Sequence, residues 1–294
     1  MLIGHKKNIS LLQSLVKNGG LFHAFLFAGP EGVGKGHTAK EFAKWLQNSA
    51  HPTLEEFALD VCACSSCNFA QKGAHSDIHC FSGTMEVEKA REIVRLAGLS
   101  PFLAPYSIFI IEEAEKLSPE SANTLLKSIE EPASRTLFFM TTSSLNAVLP
   151  TIVSRCALLR FGLVPAKDAE RVAPNIKKDK DFESFAQIFR GRPGLIYRFF
   201  NDDNFKNGYI KAERLSSRFL RGGVAERLLV AEELYALGPQ EFAETMSLWS
   251  AIYKREGHYR NAGLALELAK NSRFSVQSSL ALTYAALHDS FLNV

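Results

Sequence analysis

The sequence lacks long apolar runs, a strong net charge and low-complexity tracts. No run approaches the ~18 apolar residues of a bilayer-spanning helix, and the N-terminal residues lack the apolar core of a signal peptide. The formal net charge of +3 is too small to indicate a nucleic-acid-binding protein by itself, so any DNA contact would be a local patch. With 46% hydrophobic and 22% charged residues, the composition excludes a disordered or fibrous chain. We therefore expect a globular, cytoplasmic protein with no membrane partner.

Cysteine is also scarce, with five in 294 residues. Four of them, Cys62, Cys64, Cys67 and Cys80, lie within nineteen residues of one another. In a reducing compartment such a cluster is more typical of a metal site than of a disulfide framework. The fifth, Cys156, has no His/Asp partner pattern that would indicate a thiol enzyme, so we interpret it as a small buried hydrophobic residue.

Short apolar runs alternate with helical stretches in the first half of the chain. The first run is followed by a glycine-rich turn, which favours a buried strand over a buried helix. Predicted strands cover residues 24–27, 107–111, 136–141 and 157–161, and predicted helices cover 7–18, 36–48, 86–98 and 118–130. Strands that alternate with helices of this length indicate an α/β fold with a parallel sheet covered on both faces.

The strand pattern ends near Phe161, and the remaining chain is predicted to be helical. Residues 166–206 form short polar helical stretches that are broken at Gly191-Arg192-Pro193-Gly194. Longer helices are predicted further on, at 224–237 and 240–255. The length alone corresponds to roughly two domains. The pattern predicts three parts, namely an α/β domain over 1–162, a small helical domain over 163–206 and a larger helical domain over 207–294.

A phosphate loop is the most specific local motif in the sequence. The segment GPEGVGK, residues 29–35, directly follows a predicted strand and precedes a predicted helix. Its glycines let consecutive backbone N–H groups surround phosphate oxygens, and the helix N-terminus adds a favourable dipole. Lys35 would reach the β- and γ-phosphates of a nucleotide such as ATP. A plain glycine turn, the alternative, is disfavoured by this strand–loop–helix context.

The residues expected to handle Mg²⁺ depart from the usual pattern at two positions. Gly36 stands where a Ser or Thr hydroxyl normally binds the metal, and Thr38 follows two residues later. Glu112 takes the metal-proximal position where Asp is usual, and Glu113 stands where a water-activating base would lie, here as a vestigial one. Because Mg²⁺ tolerates little change in octahedral geometry, the pattern allows nucleotide binding but argues against efficient hydrolysis. The predicted cofactor-binding residues are Gly29, Gly32, Gly34, Lys35, Gly36, Thr38 and Glu112.

Further motifs accompany the loop in a specific order and spacing. They are Gly4-His5, His23-Ala24, EEAEKLSPESANTLLKSIEEPASR over residues 112–135, and LPTIVSRC over residues 149–156. Together with the phosphate loop, they resemble the AAA+ clamp-loader subunits of bacterial DNA polymerase III. The resemblance covers most of residues 1–161. It implies an AAA+ P-loop domain, a small helical lid domain and an all-α C-terminal collar domain that serves oligomerisation.

The resemblance gives Arg155 a catalytic role in a neighbouring subunit. Ser154-Arg155-Cys156 directly precedes the last predicted strand. An arginine presented there can pair with a neighbour's γ-phosphate and stabilise the transferred charge, as an arginine finger does. The alternative interpretation is an ordinary surface salt bridge.

The resemblance also implies a small zinc module at about residues 50–80. Cys62, Cys64 and Cys67 are its predicted ligands, because closely spaced thiolates can hold one face of a Zn²⁺ tetrahedron. The family's pattern has a further cysteine upstream, and the stretch before Cys62 contains none. The fourth predicted ligand is therefore His51 or Cys80, and reduced structural cysteines are the alternative.

Within the clamp-loader family, the sequence favours the delta-prime subunit over the gamma/tau motor subunit. Gly36 and Glu112 alter Mg²⁺ handling, and Gly194 stands where motor subunits carry a phosphate-sensing arginine. The chain also ends at Val294, without the long extension of many motor subunits. The resemblance then implies a stator in a hetero-oligomeric ring with motor and delta subunits, which loads the sliding clamp on primed DNA. The alternatives are the motor subunit itself, a free-standing ATPase such as a helicase loader, and a zinc-dependent DNA-binding protein.

Overall fold

The computed structural model of the protein describes residues 2–47, 76–102, 104–172 and 180–270. These residues divide into two compact units. The first contains the described residues up to Val172 together with Gly191–Leu195, and the second contains the other described residues. Each unit has its own hydrophobic core.

Parallel strands and helices alternate in the first unit. Its helices are α1 (Lys6–Lys17), α2 (Lys35–Leu46), α3 (Val87–Ala97), α4 (Pro119–Glu130), α5 (Pro150–Val153) and α6 (Ala166–Ala169). Its strands are β1 (Ala24–Ala28), β2 (Ile78–Phe81), β3 (Ser107–Ile111), β4 (Thr136–Thr142) and β5 (Ala157–Arg160). Short 3₁₀ turns lie at Ala114–Lys116, Leu145–Ala147 and Glu170–Val172.

The described strands form one sheet in the order β2-β3-β4-β1-β5, and every neighbouring pair is parallel. Strand β1 lies between β4 and β5, with Ala24 opposite Phe138 and Phe25 opposite Ala157. Strands that are close in the sequence are therefore not always neighbours in the sheet. This order brings the carboxyl ends of β3, β4 and β1 side by side, where the phosphate loop begins.

Both faces of the sheet are buried, which explains the continuous apolar runs in the sequence. Phe25 and Phe27 of β1 point into one core, and Ala24 and Leu26 point into the other. All residues of β1, β3 and β4 are buried. Burying a phenylalanine of this kind contributes about 1.5–3 kcal/mol to folding.

The second unit is helical in the part that the structure describes. Its helices are α7 (Lys180–Ile188), α8 (Pro193–Asn201, whose first residues belong to the first unit), α9 (Asp203–Arg221), α10 (Val224–Tyr235), α11 (Pro239–Glu256) and α12 (Tyr259–Lys270). Aromatic rings hold the first of these together, since the Phe185 ring centroid lies 4.4 Å from that of Phe199 and 5.0 Å from that of Tyr209. Trp249 links α11 to α9, because its Nε1–H donates a hydrogen bond of 2.9 Å to the Ala212 carbonyl oxygen.

The predicted strands are confirmed within one residue at each end, and the sheet is parallel as expected. One strand, β2, was not predicted, because its residues Ile78–Phe81 are only partly buried and form no continuous apolar run. Helix α9 has 19 residues and crosses the predicted boundary between the short helical stretches, which end at residue 206, and the longer helices that follow. The Asp202 carboxylate starts it by accepting the Phe205 N–H at 3.0 Å. Among the described helices, none combines the length and apolarity needed to cross a bilayer.

Candidate functional site

The carboxyl ends of β1, β3 and β4 meet at one edge of the sheet. The phosphate loop follows β1, Glu112 and Glu113 follow β3, and Ser143 follows β4. The Gly29 N–H donates to the Thr142 carbonyl oxygen at 3.1 Å, which ties the start of the loop to β4. Ligands of open parallel sheets bind outside this edge. The structure therefore brings the residues that the sequence predicts for a nucleotide site to one place.

The phosphate loop has a curled backbone that glycine adopts without strain. Gly32 and Gly34 have φ values of 76° and 102°. A Cβ at Gly32 would lie only 2.5 Å from Leu195 Cγ, so the loop has no room for a side chain there. The Gly194 N–H donates to the Gly32 carbonyl oxygen at 2.7 Å. Residues Gly191–Leu195 thus pack directly on the loop, and a Cβ at Gly194 would lie 3.0 Å from that same oxygen.

Lys35 is folded onto its own loop. Its Nζ donates to the carbonyl oxygens of Gly29 at 2.6 Å and Pro30 at 2.7 Å, and the residue is 8% exposed. Burial lowers its pKa, and the nearby carboxylates of Glu115 and Glu31 act in the opposite direction. A bound phosphate would draw the ammonium away from these two carbonyl oxygens.

The predicted Mg²⁺ position does not fit a magnesium ion in this chain. Gly36 supplies no hydroxyl, and the Thr38 Oγ1 donates to the Gly34 carbonyl oxygen at 2.9 Å. Glu112 Oε1 lies 2.8 Å from Lys40 Nζ, so an ammonium already neutralises the carboxylate. Since Mg²⁺ requires oxygen ligands in a near-ideal octahedron, we assign no metal-dependent step to this site.

Glu113, the predicted vestigial base, is held by a neighbouring lysine. Its backbone lies in the left-handed region at φ 59°, which is uncommon for a residue with a side chain. The Glu113 N–H donates to Thr141 Oγ1 at 3.3 Å, and its carboxylate pairs with Lys116 Nζ at 2.7 Å. A role as base for Glu113 stays a prediction.

His5 supports the phosphate loop from the N-terminal segment. Its Nε2 lies 2.9 Å from the Val33 carbonyl oxygen, and its ring centroid lies 4.7 Å from that of Phe161. The pKa of His5 is lowered, mainly by burial. The hydrogen bond to Val33 acts in the opposite direction, and the positive charge of Lys35 lowers the pKa further. The neutral imidazole is therefore the favoured form in the folded protein.

Arg155 lies at the opposite edge of the sheet from the phosphate loop. It precedes β5, whose first residue Ala157 is paired with Phe25 near the start of β1. At about 3.3 Å per residue, the four residues of β5 place about 13 Å between its start and the loop edge. The guanidinium is 36% exposed and pairs with the Glu130 carboxylate, while Nη1 donates to the Thr151 carbonyl oxygen at 2.9 Å. Arg155 thus faces away from its own phosphate loop.

Residues 4–164, more than half of the chain, match the family model described as DNA polymerase III, delta subunit. This chain belongs to that family. The curated relatives that it matches are also DNA polymerase III subunits, named tau and tau/gamma, and together these matches support membership of the AAA+ clamp-loader family.

Two relatives illustrate how this family member compares. The DNA polymerase III subunit tau of Bacillus subtilis is 32% identical over 162 residues, which cover 54% of this chain and 28% of the relative. The DNA polymerase III subunit tau/gamma of Haemophilus influenzae is 34% identical over 165 residues, which cover 55% of this chain and 23% of the relative. The chain thus matches less than a third of the length of either protein.

Solved structures resemble this family member only distantly. A DNA polymerase III gamma subunit-related protein of Thermotoga maritima has a TM-score of 0.45 at 17% identity, covering 97% of this chain and 92% of that one. A variant of RuvB from Thermotoga maritima has a TM-score of 0.49 at 18% identity, covering 87% of this chain and 89% of that one. The α/β phosphate-loop fold rests on the parallel sheet described above.

Sequence reasoning missed two polar groups of this clamp-loader family member at the loop edge. Glu115 accepts the Ser143 N–H at 2.9 Å, and the Ser143 hydroxyl donates to the same carboxylate oxygen. Burial raises the pKa of Glu115, but these hydrogen bonds outweigh it and leave the pKa below its usual value. Only the position of Ser143 two residues after the predicted strand 136–141 could have singled it out.

The predicted zinc ligands Cys62, Cys64, Cys67 and His51 lie outside the described residues. Cys80 lies in β2, opposite Ile110 of β3. Burial raises the pKa of the Cys80 thiol, and the charges of Lys40 and Glu112 act on it in opposite directions. Among the residues that the structure describes, no three His, Cys, Asp or Glu side chains are grouped as metal ligands would be. The zinc module stays a prediction.

Proposed function

We propose that this member of the clamp-loader family is a delta-prime subunit, a stator that does not itself hydrolyse ATP. The observation that carries the proposal is the altered metal position. Gly36 offers no hydroxyl, and the Thr38 hydroxyl is used within its own helix at 2.9 Å. Efficient hydrolysis by a phosphate-loop enzyme depends on an exactly positioned Mg²⁺, and this chain lacks the side chains that would position one.

Arg155 would be the stator's contribution to catalysis. Its side chain is partly exposed on the edge that faces away from its own loop. In a ring of related subunits, the guanidinium would meet the γ-phosphate held by an adjacent gamma/tau motor. The fork of the guanidinium can bind two phosphate oxygens at once, which suits charge that develops during transfer. The ring, with a delta subunit, would open the sliding clamp and place it on primed DNA.

A second candidate is the gamma/tau motor subunit. The names of the relatives favour it, since those quoted above are tau or tau/gamma subunits. ATP turnover of the isolated full chain separates the two. A stator shows negligible turnover that Lys35→Ala leaves unchanged, whereas a Mg²⁺-dependent turnover abolished by Lys35→Ala would establish the motor.

Partnership can be tested without assuming either subunit. Affinity purification of the tagged full chain from its native cell, followed by mass spectrometry, is expected to recover motor, delta and clamp subunits. Recovery of none of them would favour a free-standing ATPase and remove the clamp-loader role.

The zinc module is part of the same proposal. Cys62, Cys64 and Cys67, with His51 or Cys80, would hold one Zn²⁺ and cross-link the segment that contains them. Purified protein should then carry about one zinc per chain and lose stability on chelation. Separate His51→Ala and Cys80→Ala variants identify the fourth ligand. A metal-free preparation in which the three clustered thiols titrate freely and chelators leave melting unchanged would contradict the module.

A further inference from the structure

Glu112 and Gly36 fit each other in a way that neither residue shows alone. A Cβ at Gly36 would lie 2.7 Å from Glu112 Oε1 and 3.1 Å from Glu112 Cδ. The carboxylate therefore fills the space that the side chain of a serine or threonine would need. The longer side chain of Glu112 thus occupies space that is open only because Gly36 has no side chain.

The same carboxylate oxygen is paired with Lys40. Lys40 lies one helical turn after Gly36 on α2, and its Nζ lies 2.8 Å from Glu112 Oε1. The side chain of Glu112 is only 25% exposed. A carboxylate in this setting needs a positive charge close by, and the ammonium supplies the one that a divalent cation would otherwise bring.

The remaining parts of the loop still suit a phosphate group. Gly32 and Gly34 keep the curled backbone, and the buried ammonium of Lys35 is held within it at 2.6 Å and 2.7 Å from two carbonyl oxygens. These groups recognise phosphate through N–H donors and a positive charge, and neither needs a metal.

We propose that Lys40 takes the place of the divalent cation, so that this loop binds the phosphates of ATP without Mg²⁺. This inference rests on the proposed function, because it takes the chain to be a relative of the motor that does not hydrolyse ATP. Lys40 pairs with Glu112 and offers its charge to the phosphates. Mg²⁺ has neither a hydroxyl ligand nor a free carboxylate at this position.

The test is ATP binding to the full chain, measured by calorimetry in excess MgCl₂ and again in EDTA. Wild type should bind with the same affinity in both buffers. Lys40→Met keeps the aliphatic stem and removes the charge, so affinity in EDTA should fall about tenfold, a modest effect because the lysine is partly screened by water.

Lys44→Met is the matched control. Lys44 lies one turn further along α2 and pairs with Glu41 at 2.9 Å, a contact of nearly the same length. Its loss should leave ATP affinity unchanged in both buffers. Thermal melting checks that each variant is folded.

Three results would overturn the proposal. They are a loss of wild-type binding in EDTA, no ATP binding by wild type in either buffer, and equal behaviour of the Lys40 and Lys44 variants. None of them bears on assembly with clamp-loader subunits. The proposed function fails only through the purification and turnover experiments, so the two conclusions can fail separately.

Discussion

The carboxyl and amino edges of the sheet differ in the pairing and exposure of their charged side chains. At the carboxyl edge, Lys35 bonds to its own loop and Lys40 neutralises Glu112. At the amino edge, Arg155 stays 36% exposed and is held by Glu130, which is itself 41% exposed. The buried charge is confined to the carboxyl edge, where Lys35 is 8% exposed, whereas the paired side chains of Lys40, at 45%, and Arg155, at 36%, are both partly exposed.

This contrast is informative because both edges belong to one rigid sheet. Exposed ion pairs are worth about 0–1 kcal/mol, so the Arg155–Glu130 pair can be exchanged for another partner at little cost. The loop edge is less adaptable, since a Cβ at Gly29, Gly32 or Gly36 would lie less than 3 Å from a neighbouring atom.

The largest effect is expected from Arg155→Ala in a reconstituted complex. Arginine fingers are worth about 10³–10⁵ in rate at the nucleotide they contact. Only one ATP site would lose its finger, so total turnover should fall less, while clamp loading should be lost. Arg155→Lys should not rescue it, because an ammonium lacks the planar fork.

The control for this experiment is Arg91→Ala. Arg91 is an exposed arginine on α3, paired with Glu88 at 3.7 Å. The isolated Arg155→Ala chain should have nearly the melting temperature of wild type, because an exposed ion pair contributes little to stability. Intact assembly with undiminished DNA-stimulated turnover and clamp loading would leave Arg155 as an ordinary surface charge.

Gly29→Ala should lower the stability of the loop edge through a steric clash alone. A Cβ there would lie 2.1 Å from the carbonyl oxygen of Phe161, a backbone atom held by the Phe161 N–H bond of 2.7 Å to Ala28. We expect a loss of about 3 kcal/mol, as in other overpacked sites. Hydrogen exchange of the backbone amides of residues 24–28 in the full chain measures this loss of stability.

Gly162→Ala is the neighbouring control, since a Cβ there meets no described atom within 4 Å. It should change stability by no more than about 0.5 kcal/mol. Equal exchange rates for the two variants would show that the loop edge is looser than the contacts imply.

A smaller effect should follow from the titration of His5. Its pKa in the folded state is lowered from 6.5, so its contribution to stability is present above pH 6.5 and is lost as pH falls through the folded pKa. His5→Asn tolerates the left-handed backbone and removes the titration. The pH dependence of hydrogen exchange at β1 should flatten in this variant below pH 6.5. The substitution His258→Asn, in the second unit, should leave it unchanged, and an identical pH profile for wild type and His5→Asn would contradict the prediction.

The smallest effect concerns the thiols near the two edges. Burial raises the pKa of Cys156 to about 12, and its side chain packs against a core cluster. Cys80 is exposed. In protein treated with a chelator, so that no thiol is held by zinc, iodoacetamide at about pH 8 should therefore modify Cys80 in the folded state and spare Cys156, and both should react in urea. Peptide mapping by mass spectrometry resolves them. Rapid native modification of Cys156 would show that the amino edge opens.

The strands of this sheet were predictable because burial on both faces leaves apolar runs such as Ser107–Ile111. Strand β2 was not, since Ile78–Phe81 is an edge strand with a histidine and a cysteine among four residues. The order of strands could not be derived either, because it depends on long-range pairing and not on local pattern.

For the site, the glycines, Lys35 and Glu112 were identified from motif spacing, and the structure places Glu112 against Gly36 and Lys35 within the phosphate loop. Lys40 was overlooked because a lysine on a helix is typical of a solvated face, and only the fold shows its carboxylate partner. The partnership of Glu115 with Ser143 spans 28 residues of sequence and was likewise invisible.

The position of β1 inside the sheet has a consequence for synthesis. All five of its residues are buried, yet its partners Thr136–Thr142 and Ala157–Arg160 follow more than a hundred residues later. At about 5–20 residues per second, the ribosome needs on the order of ten seconds to supply them. Throughout that time Ala24–Ala28 is an apolar segment without its sheet neighbours, so the nascent chain should depend on a chaperone that shields it. Slower translation between β1 and β5 should then increase aggregation, and relocating the chain's termini to shorten this gap should reduce it.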